Sequence, residues 1–312
     1  MLTVLLAISM SVCLGFLATL LLPENLVRRS GTTWTCLLAV AISIPGEALW
    51  GTGFNNFDCT PAFQIYIIGL TLIACGPWRG AGRLGVGLIV LLAPLLAPRL
   101  GVGIVLSLIL CRLALRRHNL ALLPSPLRIL LQTRSIATAA LISSFHFIHL
   151  LAVKTWLADQ FSMRSGGGWM ARMGFLVGTE GMGQGGYDYI STLQTFSFVW
   201  RQSEFIQGIQ NFPMNVDIEH FLFWSFGIAA AFILLVRLHD LPQQALLLLV
   251  LGPGLILSTF LNQSSSEHPD YYNIFWHPAV VLGWTYLLIT LLSRLPRGTH
   301  DLDLRVFAST II

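Results

Sequence analysis

Chemistry-bearing side chains are few in this chain, and the densest group falls between Asn262 and Tyr272. Three serines, Glu267, His268 and Asp270 follow one another there, between two apolar runs. A histidine flanked by carboxylates can be oriented and made more basic, which suits a general base acting on a hydroxyl. A short solvated connection would have the same composition. His146 and His149 lie three residues apart within another apolar run, with Ser143 one turn earlier. On a helix they share a face, where they could relay a proton, hold a substrate hydroxyl, or satisfy one another. Glu47 follows Pro45-Gly46 near the end of a third run. A carboxylate there could line a cavity or simply reach the polar interface. His277 precedes Pro278 inside the last run. The histidines show neither HxxxH nor HExxH spacing, and the five cysteines show no CxxC. No metal site and no disulfide framework is expected.

The elements that must position these groups are apolar runs. Hydrophobic residues make up 55% of the 312 positions and charged residues 10%, with a mean hydropathy of +0.73. A soluble domain carries about a quarter charged residues. The composition predicts an all-α fold: a polytopic transmembrane helical bundle with about eight or nine spans and no separate soluble domain. Spans are expected near 2–22, 34–50, 62–78, 84–98, 100–115, 136–158, 219–237, 243–261 and 271–293. The fourth and fifth are short and meet at Ala97-Pro98-Arg99, as either a tight hairpin or a broken pair. The first run lacks a basic segment before it and a small-residue cleavage site, so it reads as a retained span rather than a signal peptide.

Arginine placement gives the orientation. The formal net charge is +4, from 17 arginines and one lysine against 14 acids. With the N-terminus outside, 13 arginines fall on the cytosolic side, and only Arg99, Arg164, Arg172 and Arg201 fall opposite. That satisfies the positive-inside rule and predicts a lumenal N-terminus and a cytosolic C-terminus, in the endoplasmic reticulum. The basic excess sits beside the spans and implies the bilayer as partner, not nucleic acid. Asn262-Gln263-Ser264 is a glycosylation sequon on the lumenal side of this scheme. The longest break, 159–218, is glycine-rich in its first half. Its second half, Tyr187 to Phe212, is amphipathic and aromatic and reads as an interfacial helix.

Three stretches resemble the fungal wax-synthase-like membrane-bound O-acyltransferases. Thr192-Leu193-Gln194-Thr195-Phe196 with Val199-Trp200-Arg201-Gln202 is similar to part of that family's Ser-Leu-x-x-Phe-Trp-x-x-x-Trp-His-Gln signature. Ser264 to His268 keeps the Ser and His of a late Ser-Gly-x-x-His signature, and Arg134-Ser135-Ile136-Ala137 is similar to an earlier Arg-Gly-Ile-Gly element. Arg201 stands where the family has His, the Trp after Phe196 is absent, and both glycines of the earlier element are replaced.

The resemblance implies transfer of an acyl or acetyl group from acyl-CoA or acetyl-CoA to a hydroxyl of a lipophilic terpenoid, polyketide or fatty alcohol, in secondary metabolism and without a metal. His268 would be the base, and Asn262 or Gln202 would donate to the oxyanion. Arg201, or else Arg112, Arg116 and Arg117, would hold the phosphates of coenzyme A. Trp200, Arg201, His146, His149 and Glu47 would bind substrate. Two other classes fit the residues. One is a membrane terpene cyclase using Glu47 or Asp58 as acid; the other is a non-catalytic transporter or scaffold.

Overall fold

A computed structural model describes residues 2–43, 59–75, 79–160, 218–260 and 273–294. All regular structure among them is helical. The long helices are α1 (Leu2–Leu21), α3 (Thr32–Ser43), α4 (Cys59–Ala74), α7 (Pro98–Ala114), α9 (Thr133–Gln160), α10 (Ile218–Arg237), α11 (Leu241–Phe260) and α12 (Asn273–Leu292). The short ones are α2 (Glu24–Ser30), α5 (Arg79–Gly87), α6 (Ala93–Leu96) and α8 (Ser125–Leu130). By length and composition, Phe275–Leu292 is the one helix among the described residues able to cross a membrane alone. Ile8–Leu21 joins it only if counted with Glu24–Ser30 as one span, and that pair is bent by 117°.

Proline and glycine set the breaks. Leu22 and Pro23 end α1, and Gly31, at φ 87°, turns α2 into α3 in a backbone conformation other residues adopt only with strain. The Ser30 and Thr35 hydroxyls bond across that turn at 2.9 Å. Between α5 and α6 the backbone widens into a π-helical turn, Leu88–Leu92. Pro94 follows two residues later and has no N–H to offer, and the wider turn absorbs the missing bond. Ala97 is extended (φ −140°, ψ 102°), and Pro98 starts α7.

Packing shows how the chain reverses. The start of α5 rests on α8, because Gly82 leaves room for the Pro126 ring. At the end of α7, Arg112 donates to Thr133 Oγ1 (2.6 Å) and Leu131 O (3.5 Å), next to α8. The turn at Ala97 therefore makes α5–α6 and α7 a tight hairpin. Helices α7 and α11 run antiparallel: Cys111 faces Ala245, Ser107 faces Gly252, and Gly103 faces Leu257. Gln243 at the start of α11 donates to Leu20 O at the end of α1 (2.8 Å). Near the other end of α11, Gly254 meets Phe275 and Trp276 at the start of α12.

Two crossings bring backbone against backbone. Gly69 of α4 faces Gly85 of α5, and Gly283 of α12 lies on the Gly227 carbonyl of α10. Trp284 reinforces the second, with Nε1 donating to Phe223 O at 2.7 Å and its ring stacked on Phe223 at 5.5 Å. Small residues that let helices touch are the usual means of association where burial of apolar area offers no net gain.

The interior is aliphatic and aromatic, from Met10, Leu14 and Leu17 through Tyr66 and Leu70 to Val280 and Leu282. Tyr66 is fully buried, and its hydroxyl donates to Leu249 O at 2.7 Å. Leu249 is four residues before Pro253, which interrupts α11 without an N–H of its own. The carbonyl a helix would normally pair internally is thus taken by a side chain of α4. Tyr66→Phe should cost about 1–2 kcal/mol in detergent unfolding, since it strands that carbonyl. The cost should shrink in a Pro253→Ala background, where the returning N–H satisfies the same oxygen. An equal cost in both backgrounds would refute the pairing.

Candidate functional site

One end of the bundle is basic. Arg28 and Arg29 lie on α2, Arg83 near the start of α5, and Arg112, Arg116, Arg117, Arg128 and Arg134 around the α7–α9 connection. Arg237 ends α10, and Arg294 follows the last turn of α12. The contacts of Gln243 with Leu20, Arg112 with Thr133 and Gly82 with Pro126 hold these helix ends together.

Toward the opposite end, aromatic side chains meet. Phe63 and Phe275 pack edge to face at 5.0 Å, and Phe63 stacks with Tyr66 at 6.0 Å. Trp276 lies over Gly254, where a side chain on that residue would strike the indole. His277 follows it, 2% exposed, one residue before Pro278. That imidazole is buried in the core. Gln64, beside Phe63, is also buried. Phe63, Gln64, Tyr66, Phe275, Trp276 and His277 are thus all buried in the core near this end of the bundle.

The residues singled out from the sequence lie mostly elsewhere. Glu47, Trp200, Arg201, Gln202, Asn262 and His268 fall outside the described residues. The helix ends flanking their segments are described: Ser43 and Cys59, Gln160 and Ile218, Phe260 and Asn273. All belong to the end away from the arginines. His146 and His149 are both on α9, and His149 is exposed on the outer face it shares with Phe145 and Ile148. His149 thus points away from the core that holds His277. Among the described residues no three His, Cys, Asp or Glu side chains gather as a metal site would require.

Reasoning from sequence passed over Tyr66. The signal was available, since a proline inside a helix frees a carbonyl four residues earlier and a buried carbonyl needs a donor. Gln64 carried no comparable signal. The chain matches no protein family, no curated protein and no solved structure.

Proposed function

We propose that the chain is a multi-pass integral membrane protein of about nine spans, with its N-terminus lumenal, that acylates a hydroxyl on a lipophilic substrate. The membrane half rests on one observation above others. The outer faces of the helices are apolar along their length, while the described arginine side chains gather at one end. Ile8, Val12, Phe16 and Leu20 form such a stripe on α1, Leu141, Phe145 and Ile148 on α9, and Phe226, Ile233 and Val236 on α10. Water does not tolerate exposed apolar surface on this scale, and hydrocarbon does. Several helices are shorter than the ~20 residues of a full span. The π-turn and the tight crossings are consistent with a bundle whose irregular backbone is sheltered by its own helices.

The catalytic half rests on the order of the signatures in the sequence, and on the common end to which the helices flanking the two later ones belong. In this reading His268 takes the proton of the substrate hydroxyl as its oxygen attacks the thioester carbonyl of an acyl-CoA. The carbon–sulfur bond then breaks, and the leaving thiolate recovers the proton. Asn262 or Gln202 donates to the oxyanion, and Arg201 holds a phosphate of the donor. Trp200, Glu47 and His146 contact the acceptor, whereas His149, on the outer face of α9, is left out of the scheme. Because acyl-CoA is cytosolic, the scheme requires the thioester to pass through the bundle from the arginine-bearing end.

The test is twofold. Cysteines placed at positions 262 and 117 should be labelled by an impermeant maleimide from opposite sides of sealed vesicles. The same membranes, given radiolabelled acetyl-CoA and a panel of terpenoid and fatty alcohols, should form labelled ester. Labelling of both positions from one side would end the topology, and absence of ester with every alcohol and chain length would end the transferase reading.

A further inference from the structure

Among the described residues, the arginines around the α7–α9 connection form no ion pair. No acidic residue occurs between Asp58 and Asp159. The one ion pair among the described residues, Arg28 with Glu24 at 2.6 Å, lies elsewhere, on α2. Arg112 is engaged in clipping the connection to Leu131 and Thr133. Arg116, Arg117, Arg128 and Arg134 are left exposed, and the Gly82–Pro126 contact brings the start of α5, with exposed Arg83, to the same place. Between them the chain makes a 3₁₀ turn, Leu120–Leu122, whose Asn119 side chain accepts from the Ala121 N–H. That turn presents Leu122 at 73% exposure.

An unpaired basic cluster fits a phosphate-bearing ligand, and two sources supply one: the headgroups of anionic lipids, and coenzyme A. The exposed leucine decides between them. A soluble donor gains nothing from Leu122, whereas a leaflet takes up the leucine while the guanidinium groups reach its phosphates. We infer that Arg83, Arg116, Arg117, Arg128 and Arg134, with Leu122 as an apolar wedge, form a docking surface for anionic phospholipid on the arginine-bearing side. This rests on the multi-pass reading proposed above and is independent of the acyl-transfer chemistry.

The full chain, purified in a neutral detergent, is titrated with phosphatidylglycerol or with phosphatidylcholine of identical chains, and bound lipid is counted by native mass spectrometry. The wild type should bind the anionic lipid at least about 100-fold more tightly, and excess coenzyme A should not displace it. Each arginine near a charged leaflet contributes about fivefold in affinity. R116Q/R117Q should therefore lose about 25-fold, and R116Q/R117Q/R128Q on the order of 100-fold, with phosphatidylcholine binding unchanged. Leu122→Ser should weaken both lipids alike. All these side chains are exposed, so each variant should match the wild type in gel filtration. Equal affinity for the two lipids, a triple variant within threefold of the wild type, or displacement by coenzyme A would overturn the inference. Displacement would assign the arginines to the thioester donor. Retention of the chain in carbonate-washed membranes confines such a failure to the lipid surface, and its release would overturn the multi-pass reading as well.

Discussion

Gly283→Leu is expected to destabilise the bundle by about 3 kcal/mol, read as a lower SDS fraction at the midpoint of helix loss in mixed micelles. The magnitude follows from what lies opposite. Even a methyl group at position 283 would overlap the Gly227 carbonyl oxygen, and Ala231 N is also within 3.0 Å of it. Backbone cannot turn aside as a flexible side chain can, so α10 and α12 must separate. Separation also loosens the Trp284 bond to Phe223 O and the stacked pair beside it. Gly80 and Gly87 of α5 provide the control, since a Cβ at either would meet nothing within 4 Å. Alanine there should be neutral or gain up to about 1 kcal/mol from helix propensity. A Gly283→Leu protein as resistant as the wild type would mean that α10 and α12 do not touch at these glycines.

His268→Ala should lower acyl transfer about 10²- to 10⁴-fold, the usual contribution of a positioned general base. The loss should fall on kcat, with KM for the thioester nearly unchanged, because proton removal matters only in the transition state. The sign with pH follows from the role. A base must be neutral to accept a proton, so the wild-type rate should fall as acid protonates the imidazole, and the residual rate of the variant should lack that limb. Membranes must contain equal amounts of both proteins for the comparison. Full activity in His268→Ala would remove this residue from the reaction, and an altered KM with unchanged kcat would assign it to binding instead.

Much of the architecture could be read from the residues because apolar runs of near-span length are hard to mistake. The expected run at 2–22 became Leu2–Leu21, 219–237 became Ile218–Arg237, and 271–293 became Asn273–Leu292. The undecided break at Ala97-Pro98-Arg99 resolved as a hairpin through contacts distant in sequence, which no local pattern carries. The short helices α2 and α8 were not anticipated. At 7 and 6 residues they are too brief for a period to emerge, and they exist because they pack at the arginine-bearing end. The expected run at 34–50 extends beyond α3, which is described as far as Ser43.

The candidate site was less legible, for a physical reason visible on α9. Apolar residues fall on every side of that 28-residue helix, so periodicity says little about which face turns inward. Residue type marked His149 as costly in an apolar run, and packing alone revealed that it faces outward. His277 reads equally costly from type, yet it lies in the core. The two histidines differ only in their neighbours on other helices.

The union of Tyr66 with the orphaned Leu249 oxygen bears on the rival idea of a shuttling carrier. Alternating access needs one half of such a molecule to tilt against the other about a central site. Here a phenol from the first half plugs a gap in the second half's ladder, at 2.7 Å and shut off from water. Each residue of slippage along α11 displaces the partner by about 1.5 Å, enough to rupture that bond and bare the oxygen. The join behaves as a rivet between α4 and α11, and any sliding of one past the other carries the cost of that bond, about 1–2 kcal/mol.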